Sequence, residues 1–209
     1  MIKDTAKYVH AFLLIILCGC TASNPPIMNE SSYAPVYSRS AGCGIIQAGN
    51  GNFMPMEIRV LNQVRTYHMF VPIWYDPNRA YPLIFTWHGS GGNGLSGGLD
   101  IEISSKNDAI VVAADGLNNS WNSDKNSVDL VFFDRMLETI EKGYCIDRDR
   151  VFSYGFSVGG YFTNLLACER GDELRASAAV AGGLAGENCN GKVAAWFLHD
   201  LDDDAVPIV

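Results

Sequence analysis

The sequence predicts an α/β fold in which a mostly parallel sheet carries helices on both faces. Apolar runs of strand length, such as residues 81–87, end abruptly in glycine-rich turns, as strands buried on both faces of a parallel sheet do. Residues 128–142 place apolar side chains at helical spacing between such runs. Strands that alternate with helices at this spacing build a parallel sheet, and its functional site is expected at the carboxyl ends of the strands.

The predicted elements follow one another in a simple order. Residues 56–72 carry two strand-like runs separated by residues 62–64, which indicates an antiparallel hairpin at the sheet edge. The helix over 128–142 is expected to begin near Ser127 or Asp129, because both residue types cap helices. The other predicted elements are strands 81–87, 109–114 and 150–154, helix 158–168, and strands 176–181 and 194–199.

Length and charge limit the classes of function. A chain of 209 residues with 48% hydrophobic content suffices for one folded domain with a sizeable core. Its 15 Lys and Arg against 23 Asp and Glu give a formal net charge of −8. No basic run follows the N-terminus, so nucleic acid is not expected as a partner.

The first 20 residues have the pattern of an export signal. Lys3 and Lys7 precede an apolar run over residues 11–17, which is shorter than the roughly 20 residues that a membrane-spanning helix needs. Residues 17–20 (LCGC) resemble a bacterial lipobox, in which small residues precede a cysteine that is lipidated. Cys20 is then the lipidated residue of a membrane-anchored envelope lipoprotein. The alternative is an ordinary cleaved signal peptide and a secreted protein.

The rest of the chain divides into a tether and a domain that contains four cysteines. Residues 21–40 are rich in Ser, Asn and Pro and indicate a flexible linker, which leaves 41–209 as the folded domain. In an exported chain the four cysteines are expected to form disulfides, and all three connectivities stay open. The chain has no C-x-x-C pair or clustered histidines, so a metal site is not expected. The cysteines are Cys43, Cys145, Cys168 and Cys189.

Residues 151–161 (VFSYGFSVGGY) have the pattern of a buried strand, a G-x-S-x-G turn and the start of a helix. Ser157 lies at the crest of this turn, where only small neighbours such as Gly155 and Gly159 let the backbone close. An α/β-hydrolase carries its nucleophile at this position between strand and helix, so Ser157 is predicted to be a catalytic nucleophile. The alternative is a plain glycine-rich loop that enters a helix.

A serine nucleophile needs hydrogen-bond donors for the oxyanion that forms on the attacked carbonyl oxygen. The backbone N–H of Val158 is one predicted donor, because it follows the serine directly. The HGSGG turn after strand 81–87 is predicted to supply a second oxyanion-hole donor, the amide of Ser90 or Gly91. The alternative is a glycine turn in which His88 is purely structural.

The last predicted strand leads into a cluster of aspartates, HDLDDDAVP at residues 199–207. One of these carboxylates is expected to orient the catalytic base. Calcium binding is the competing use of such a cluster, but it requires a fixed spacing and a glycine turn that this stretch lacks. The aspartates are Asp200, Asp202, Asp203 and Asp204.

Taken together, the motifs resemble those of the secreted carbohydrate esterases that include feruloyl and acetyl xylan esterases. Polyhydroxybutyrate depolymerases share the same motifs. The resemblance covers most of residues 40–207, and the linked order of the motifs makes it more specific than any one of them. The motifs are SAGCG (40–44), YPLIFTWHGSGG (81–92), ADGLNNSWN (114–122), DLVFFDRML (129–137), YCIDRDRVFSYGFSVGGYFTNLLAC (144–168) and HDLDDDAVP.

The resemblance implies a fold, a reaction and roles for residues. It implies an α/β-hydrolase that hydrolyses feruloyl or acetyl esters on plant polysaccharide through an acyl-enzyme, without a cofactor. A depolymerase acting on polyester is the alternative. The family's aspartate maps onto Asp203, with Asp204 as its closest competitor. Trp121 matches an aromatic-bearing loop near the acyl pocket and is a candidate substrate-binding residue, and the alternative is an exposed or core tryptophan.

Two departures from the family pattern affect the predicted site. Asp200 stands where the family usually has glycine, so the loop that carries Asp203 is expected to be set differently. The family's catalytic histidine follows the aspartate, and none of the six residues after Asp203 is a histidine. His199 is a poor substitute, because it ends its own strand only four positions before the acid.

The family's last strand and helix are also missing from the pattern. We therefore expect this sequence to be a C-terminally incomplete esterase. The alternative from another class is a catalytically inactive binding or remnant lipoprotein that lacks the triad histidine.

Overall fold

The structure is a computed structural model that describes residues 38–187 and 189–207. The predicted signal peptide, the candidate lipidation site Cys20 and nearly all of the predicted linker lie outside these residues. Within the described ranges, no helix is both long enough and apolar enough to cross a membrane.

The described residues form one seven-stranded sheet whose strands are ordered β1-β2-β4-β3-β5-β6-β7. The strands are β1 (Phe53–Val60), β2 (Gln63–Phe70), β3 (Tyr81–Trp87), β4 (Ile110–Ala114), β5 (Ile146–Phe156), β6 (Ala176–Val180) and β7 (Ala194–Leu198). β2 pairs antiparallel with β1 and with β4, and all other neighbours are parallel. The mostly parallel sheet and its antiparallel edge hairpin, both predicted from the sequence, are confirmed.

The described helices are α1 (Gly94–Ser105), α2 (Val128–Gly143) and α3 (Val158–Glu169). α2 and α3 share one face of the sheet, where their rings pack against Phe85 and Trp87 of β3. α1 packs on Ala113, which is in register with Thr86 and therefore points to the other face, because side chains alternate along a strand. Helices on both faces are thus confirmed, as is the cap of α2, where the Ser127 side chain accepts from the Asp129 N–H.

Helix α1 was not predicted from the sequence. Its glycines at 94, 97 and 98 lower helix propensity, and they leave little apolar periodicity to recognise. The structure gives the reason for one of them: a Cβ at Gly98 would lie 2.6 Å from the Ala113 Cβ, so glycine lets α1 sit close against β4. Asn93 caps the helix by accepting a hydrogen bond from the Ser96 N–H at 3.1 Å.

An aromatic cluster supports the carboxyl end of β3. Trp87 is fully buried there, with ring centroids 4.8 Å from Phe162 and 5.1 Å from Trp121. Its indole Nε1–H donates to the Ser153 hydroxyl of β5 at 2.9 Å, which satisfies the one polar atom of the side chain. Strands β3 and β5 therefore end on a packed and hydrogen-bonded base.

Two disulfides settle the cysteine pairing that the sequence left open. Cys43 pairs with Cys145, and Cys168 pairs with Cys189. The first closes a loop of sequence separation 102, and the second ties the end of α3 to the segment before β7. Disulfides are typical of exported proteins, so this pairing is consistent with export.

Candidate active site

Ser157 lies at a strained turn between β5 and α3, as the G-x-S-x-G pattern predicts. Its backbone has φ 54° and ψ −121°, a conformation that a non-glycine residue adopts at a cost of about 1–3 kcal/mol. The surroundings hold it there: its N–H donates to the Val180 carbonyl at 2.8 Å, and its own carbonyl accepts from Gly160 at 2.8 Å. The strain is therefore maintained by β6 on one side and by α3 on the other.

The two glycines of the motif are required by backbone contacts. A Cβ at Gly155 would lie 2.0 Å from the Gly159 carbonyl oxygen, and a Cβ at Gly159 would lie 2.1 Å from the Trp87 carbonyl oxygen. Both distances are far below any contact that a real side chain makes. The first turn of α3 thus packs directly on the backbone at the end of β3, which brings Ser157 next to the HGSGG turn.

The HGSGG turn lies beside the serine. A Cβ at Gly89 would lie 3.5 Å from the Ser157 Cβ. The turn is closed by the Gly92 N–H, which donates to the Gly89 carbonyl at 3.0 Å, and Gly91 at its centre has φ 77°. A positive φ at this third position needs glycine, so the sequence of the turn follows from its geometry.

The structure separates the three predicted oxyanion donors. The Val158 N–H belongs to the first residue of α3, so no carbonyl of its own helix can accept it. The Gly91 N–H donates to the Asn119 carbonyl at 2.8 Å, so the prediction that Gly91 supplies an oxyanion donor is wrong. Ser90 is exposed, and among the described residues its N–H has no acceptor. Val158 and Ser90 are the remaining candidates.

The buried His88 side chain links the HGSGG turn to Gly116. The side chain is only 2% exposed, and its Nε2 accepts a hydrogen bond from the Gly116 N–H at 3.0 Å. An accepting Nε2 makes Nδ1 the protonated nitrogen, and Nδ1–H donates to the Gly89 carbonyl at 2.7 Å. The alternative considered for this histidine, a structural role, agrees with its contacts.

The side chain of Trp121 is buried, which agrees with the alternative of a core tryptophan. Its side chain is 5% exposed, and its ring stacks on Phe162 with centroids 5.4 Å apart. Its indole Nε1–H donates to the His88 carbonyl at 2.9 Å. Trp121 is therefore a buried support of the turn.

Asp203 lies in a loop that its own carboxylate organises. The Oδ1 atom accepts hydrogen bonds from the N–H groups of Val206 and Ala205, both at 2.9 Å. The Val206 amide above all, with the Ala205 amide and the electrostatic influence of the His199 ring, lowers the pKa of Asp203 below its usual value. The carboxylate is thus held in its ionised form, as an orienting acid must be.

The structure brings His199 and Asp203 together, which the sequence reasoning did not expect. The His199 Nε2 lies 3.4 Å from Asp203 Oδ2, and it also contacts the Val206 carbonyl oxygen. The hydrogen bonds described for these two side chains go to Val206 and Ala205, and none goes to Ser157. Of the neighbouring aspartates, Asp200 uses its Oδ1 to accept from the Asp202 N–H at 3.1 Å.

Two cavities flank the serine turn. One of about 660 Å³ runs from Phe156 and Val180, beside the serine, to His199 and Asp203. The acid loop and Phe156, the residue directly before the serine, therefore border the same cleft. The second cavity lies on the other side of the HGSGG turn.

This second cavity, of about 450 Å³, connects Ser90 with Asp100 of α1 and with two rings of β5, Tyr154 and Phe156. Burial, with the Asp100 charge as a second cause, raises the pKa of Tyr154 above its usual value. Sequence reasoning missed Asp100 and Tyr154. Asp100 projects from the helix that was not predicted, and Tyr154 carried no signal beyond its place in a strand.

A serine at a strained strand-to-helix turn, at the carboxyl end of a mostly parallel sheet, defines the α/β-hydrolase class. No protein-family model matches the sequence. The chain is 31% identical over 198 residues to feruloyl esterase C of Emericella nidulans, covering 88% of this chain and 70% of the relative. It is 35% identical over 188 residues to feruloyl esterase D of Neurospora crassa, covering 81% and 63%. The chain belongs to the feruloyl esterase family.

A solved structure agrees on the fold. A thermostable esterase superposes with a TM-score of 0.61 at 22% identity, covering 74% of this chain and 48% of that one. The chain thus spans about two thirds of the length of the curated relatives and about half of that structure.

Proposed function

We propose that this protein is a serine esterase that hydrolyses carboxylic esters on plant polysaccharide. The observation that carries the proposal is the strained Ser157 turn beside the turn that holds the Ser90 amide. The two turns follow the neighbouring strands β5 and β3. Its relatives by sequence are named feruloyl esterases, which supports an ester as the substrate.

The reaction would proceed through an acyl-enzyme. Ser157 Oγ attacks the ester carbonyl carbon as its proton passes to a base, and the negative charge moves onto the carbonyl oxygen. The Val158 and Ser90 N–H groups stabilise that oxyanion, and each such donor contributes roughly 3–4 kcal/mol in serine hydrolases. The intermediate expels the sugar alcohol, which takes the proton from the base. Water then attacks the acyl-enzyme and releases the acid.

Among the described residues, no histidine is hydrogen-bonded to Ser157 as a base. A catalytic histidine must contact the orienting acid through one ring nitrogen and the serine through the other. His199 contacts Asp203 through Nε2, but its hydrogen bond goes to the Val206 carbonyl and not to Ser157. We therefore expect slow turnover from the chain, with Asp203 as the orienting acid.

Hydrolysis of p-nitrophenyl acetate by the wild type and by Ser157→Ala tests the nucleophile. We expect slow release of nitrophenol by the wild type and background release by the variant, because no other group forms the acyl-enzyme. Ser104→Ala is the matched control, since Ser104 is exposed on α1 and bonds only the Asp100 carbonyl.

Each other outcome of this test has a definite meaning. Equal turnover in wild type and Ser157→Ala would remove Ser157 as the nucleophile. No turnover by the wild type would favour the non-catalytic binding or remnant protein. Loss of turnover in His199→Ala would assign the base to His199.

An aromatic acyl group fits the smaller cavity better than acetyl does. The volume of this cavity, about 450 Å³, lies within the range of small-molecule sites, and the rings of Tyr154 and Phe156 line the cavity. A feruloyl group can stack on such rings, whereas an acetyl group leaves most of the space empty. We expect kcat/KM for methyl ferulate to exceed that for methyl acetate, and Tyr154→Ala to reduce that ratio. A higher value for a 3-hydroxybutyrate ester would favour the polyester alternative.

We also propose that the protein is exported and attached to the membrane through a lipid on Cys20. The lipobox-like LCGC sequence and the two disulfides of the domain support this proposal. Expression in a bacterium should place the wild type in the membrane fraction and Cys20→Ala in the soluble fraction. Unchanged membrane association of Cys20→Ala would exclude lipidation at this cysteine.

A further inference from the structure

The HGSGG turn and Gly94, the first residue of α1, are hydrogen-bonded to four residues that follow β4, which we call the clamp: Asp115, Gly116, Asn119 and Trp121. These residues belong to the ADGLNNSWN motif, to which the proposed reaction gives no role. The hydrogen bonds between them and the turn region are of ordinary length, and the rings of Trp121 and His88 also pack together with centroids 5.1 Å apart. The Gly94 N–H donates to Asp115 Oδ1 at 2.7 Å, and the Gly116 N–H donates to His88 Nε2 at 3.0 Å. The Trp121 indole N–H donates to the His88 carbonyl at 2.9 Å, and Asn119 bonds Gly91 and Gly92.

Asn119 binds the turn twice. Its carbonyl accepts from the Gly91 N–H at 2.8 Å, and its side-chain Nδ2–H donates to the Gly92 carbonyl at 2.8 Å. Asn119 and its neighbour Asn118 both have left-handed backbones, with φ 57° and 52°. Asparagine accepts this conformation more readily than most residues, so the local sequence is suited to aiming both groups of Asn119 at the turn.

The peptide unit between Gly89 and Ser90 is held at its oxygen. The Gly89 carbonyl accepts both the His88 Nδ1–H at 2.7 Å and the Gly92 N–H at 3.0 Å. In a planar trans peptide the N–H points opposite to the C=O, so the direction of the Gly89 oxygen sets that of the Ser90 N–H. The clamp also fixes both of these donors, because Gly116 is hydrogen-bonded to His88 and Asn119 is hydrogen-bonded to Gly92.

We propose that Asn119 is a positioning residue for ester hydrolysis, which presets the Ser90 amide toward the oxyanion through its bonds to Gly91 and Gly92. This inference rests on the proposed esterase function. Asn119 touches neither the serine nor the acid among the described contacts, so it acts only through the turn. A donor that is preset in this way needs no reorganisation when charge develops, which is where catalytic hydrogen bonds gain their effect.

Asn119→Gly tests the proposal with Asn118→Gly as the matched control. Glycine adopts the left-handed backbone freely, so both variants keep the loop conformation. Only Asn119→Gly removes a bond to the turn, because no hydrogen bond is described for the Asn118 side chain. Asn119→Asp is a second variant that keeps the side-chain shape but sets a carboxylate oxygen against the Gly92 carbonyl. All three are expected to keep the wild-type circular dichroism spectrum.

The first readout is amide hydrogen exchange at Gly91, which needs no activity. We expect exchange to be about tenfold faster in Asn119→Gly, faster still in Asn119→Asp, and unchanged in Asn118→Gly. Wild-type exchange in Asn119→Gly and Asn119→Asp would overturn the clamp, even in an active esterase.

The second readout is the kinetics of p-nitrophenyl acetate hydrolysis. We expect kcat to fall about tenfold in Asn119→Gly with KM within twofold, since the Ser90 donor acts on the transition state and not on the bound ester. An unchanged kcat beside faster Gly91 exchange would overturn the positioning role, as would an equal fall in Asn118→Gly. A wild type without turnover would count against the proposed function, while the exchange comparison would still decide whether Asn119 holds the turn.

Discussion

The serine half of the site is held by the core of the protein, whereas the acid half is held by its own loop. Ser157 is bonded to β6 and packed on β3, and the turn that carries Ser90 is bonded to the segment after β4. The hydrogen bonds described for residues 199–207 all stay within that segment. The strand before it, β7, lies at the edge of the described sheet, with Trp196 54% exposed.

The difference teaches how each half depends on the rest of the molecule. Groups anchored by several elements move only when the core does, so their geometry is as stable as the fold. Groups anchored by a local loop can lose their arrangement while the fold persists. We therefore expect damage to the serine half to appear as lost global stability, and damage to the acid half as a local change.

The largest effect is expected from Gly159→Ala. The new Cβ would lie 2.1 Å from the Trp87 carbonyl oxygen and 2.7 Å from the His88 carbonyl oxygen, so α3 must move off β3. We expect a loss of about 3 kcal/mol or more in the free energy of unfolding, measured by chemical denaturation. Gly143→Ala is the control, since a Cβ there meets nothing within 4 Å. A loss below 1 kcal/mol for Gly159→Ala would show that the serine turn tolerates displacement.

An effect of similar size is expected from Asp129→Ala, which breaks the buried ion pair between Asp129 and Arg65. Arg65 Nη1 and Asp129 Oδ1 are 2.8 Å apart, and both side chains are almost fully buried. Asp129 Oδ2 also accepts from the Asn122 N–H, directly after Trp121. Removing one partner of a buried pair costs about 3–5 kcal/mol, because the other charge is left unpaired.

The control for this pair is Glu138→Ala on the same helix. Glu138 pairs with Lys142 and Arg135 on the exposed face of α2, where solvent screens the charges and such pairs contribute little to stability. Equal losses of unfolding free energy in the two variants would contradict the view that the buried pair supports the serine half.

The same contrast explains what could be predicted from the sequence. The Ser157 turn was predictable because five consecutive residues, 155–159, contain both the serine and the glycines that its strained backbone requires. The strands were predictable from their apolar runs. The partner of the Gly91 amide was not, because Asn119 lies 28 positions away along the chain and adopts a left-handed backbone. The burial of Trp121 likewise depends on Phe162 and Trp87, which only the tertiary fold brings together.

Two further features were beyond local patterns for other reasons. Helix α1 combines low propensity with glycines that serve packing, so propensity and periodicity both fail there. The contact of His199 with Asp203 depends on how residues 199–206 curl back on themselves, which the Val206 amide and carbonyl decide. Asp203 is the aspartate of this loop whose carboxylate accepts two backbone amides, and its role as the orienting acid stays a prediction.

The smallest global effect is expected from Asp203→Asn. The pKa of Asp203 is lowered, chiefly by the Val206 amide, so its carboxylate stabilises the folded loop above the pKa of the unfolded chain. That stabilisation is lost as the pH falls through the lower folded-state pKa, which places the loss below about pH 4. We expect the Ala205 and Val206 amides to lose exchange protection, measured against the intrinsic rate at the same pH, at acid pH in the wild type and already at neutral pH in Asp203→Asn.

Asp204→Asn separates the loop's specific bonds from its general charge. Both substitutions remove one negative charge, but only Asp203 accepts described hydrogen bonds from Ala205 and Val206. Exchange of those amides should therefore respond to Asp203→Asn alone, with thermal midpoints within about 2 °C of the wild type in both variants. A large fall in the midpoint of Asp203→Asn would mean that the acid loop is coupled to the core after all, and that the two halves of the site unfold together.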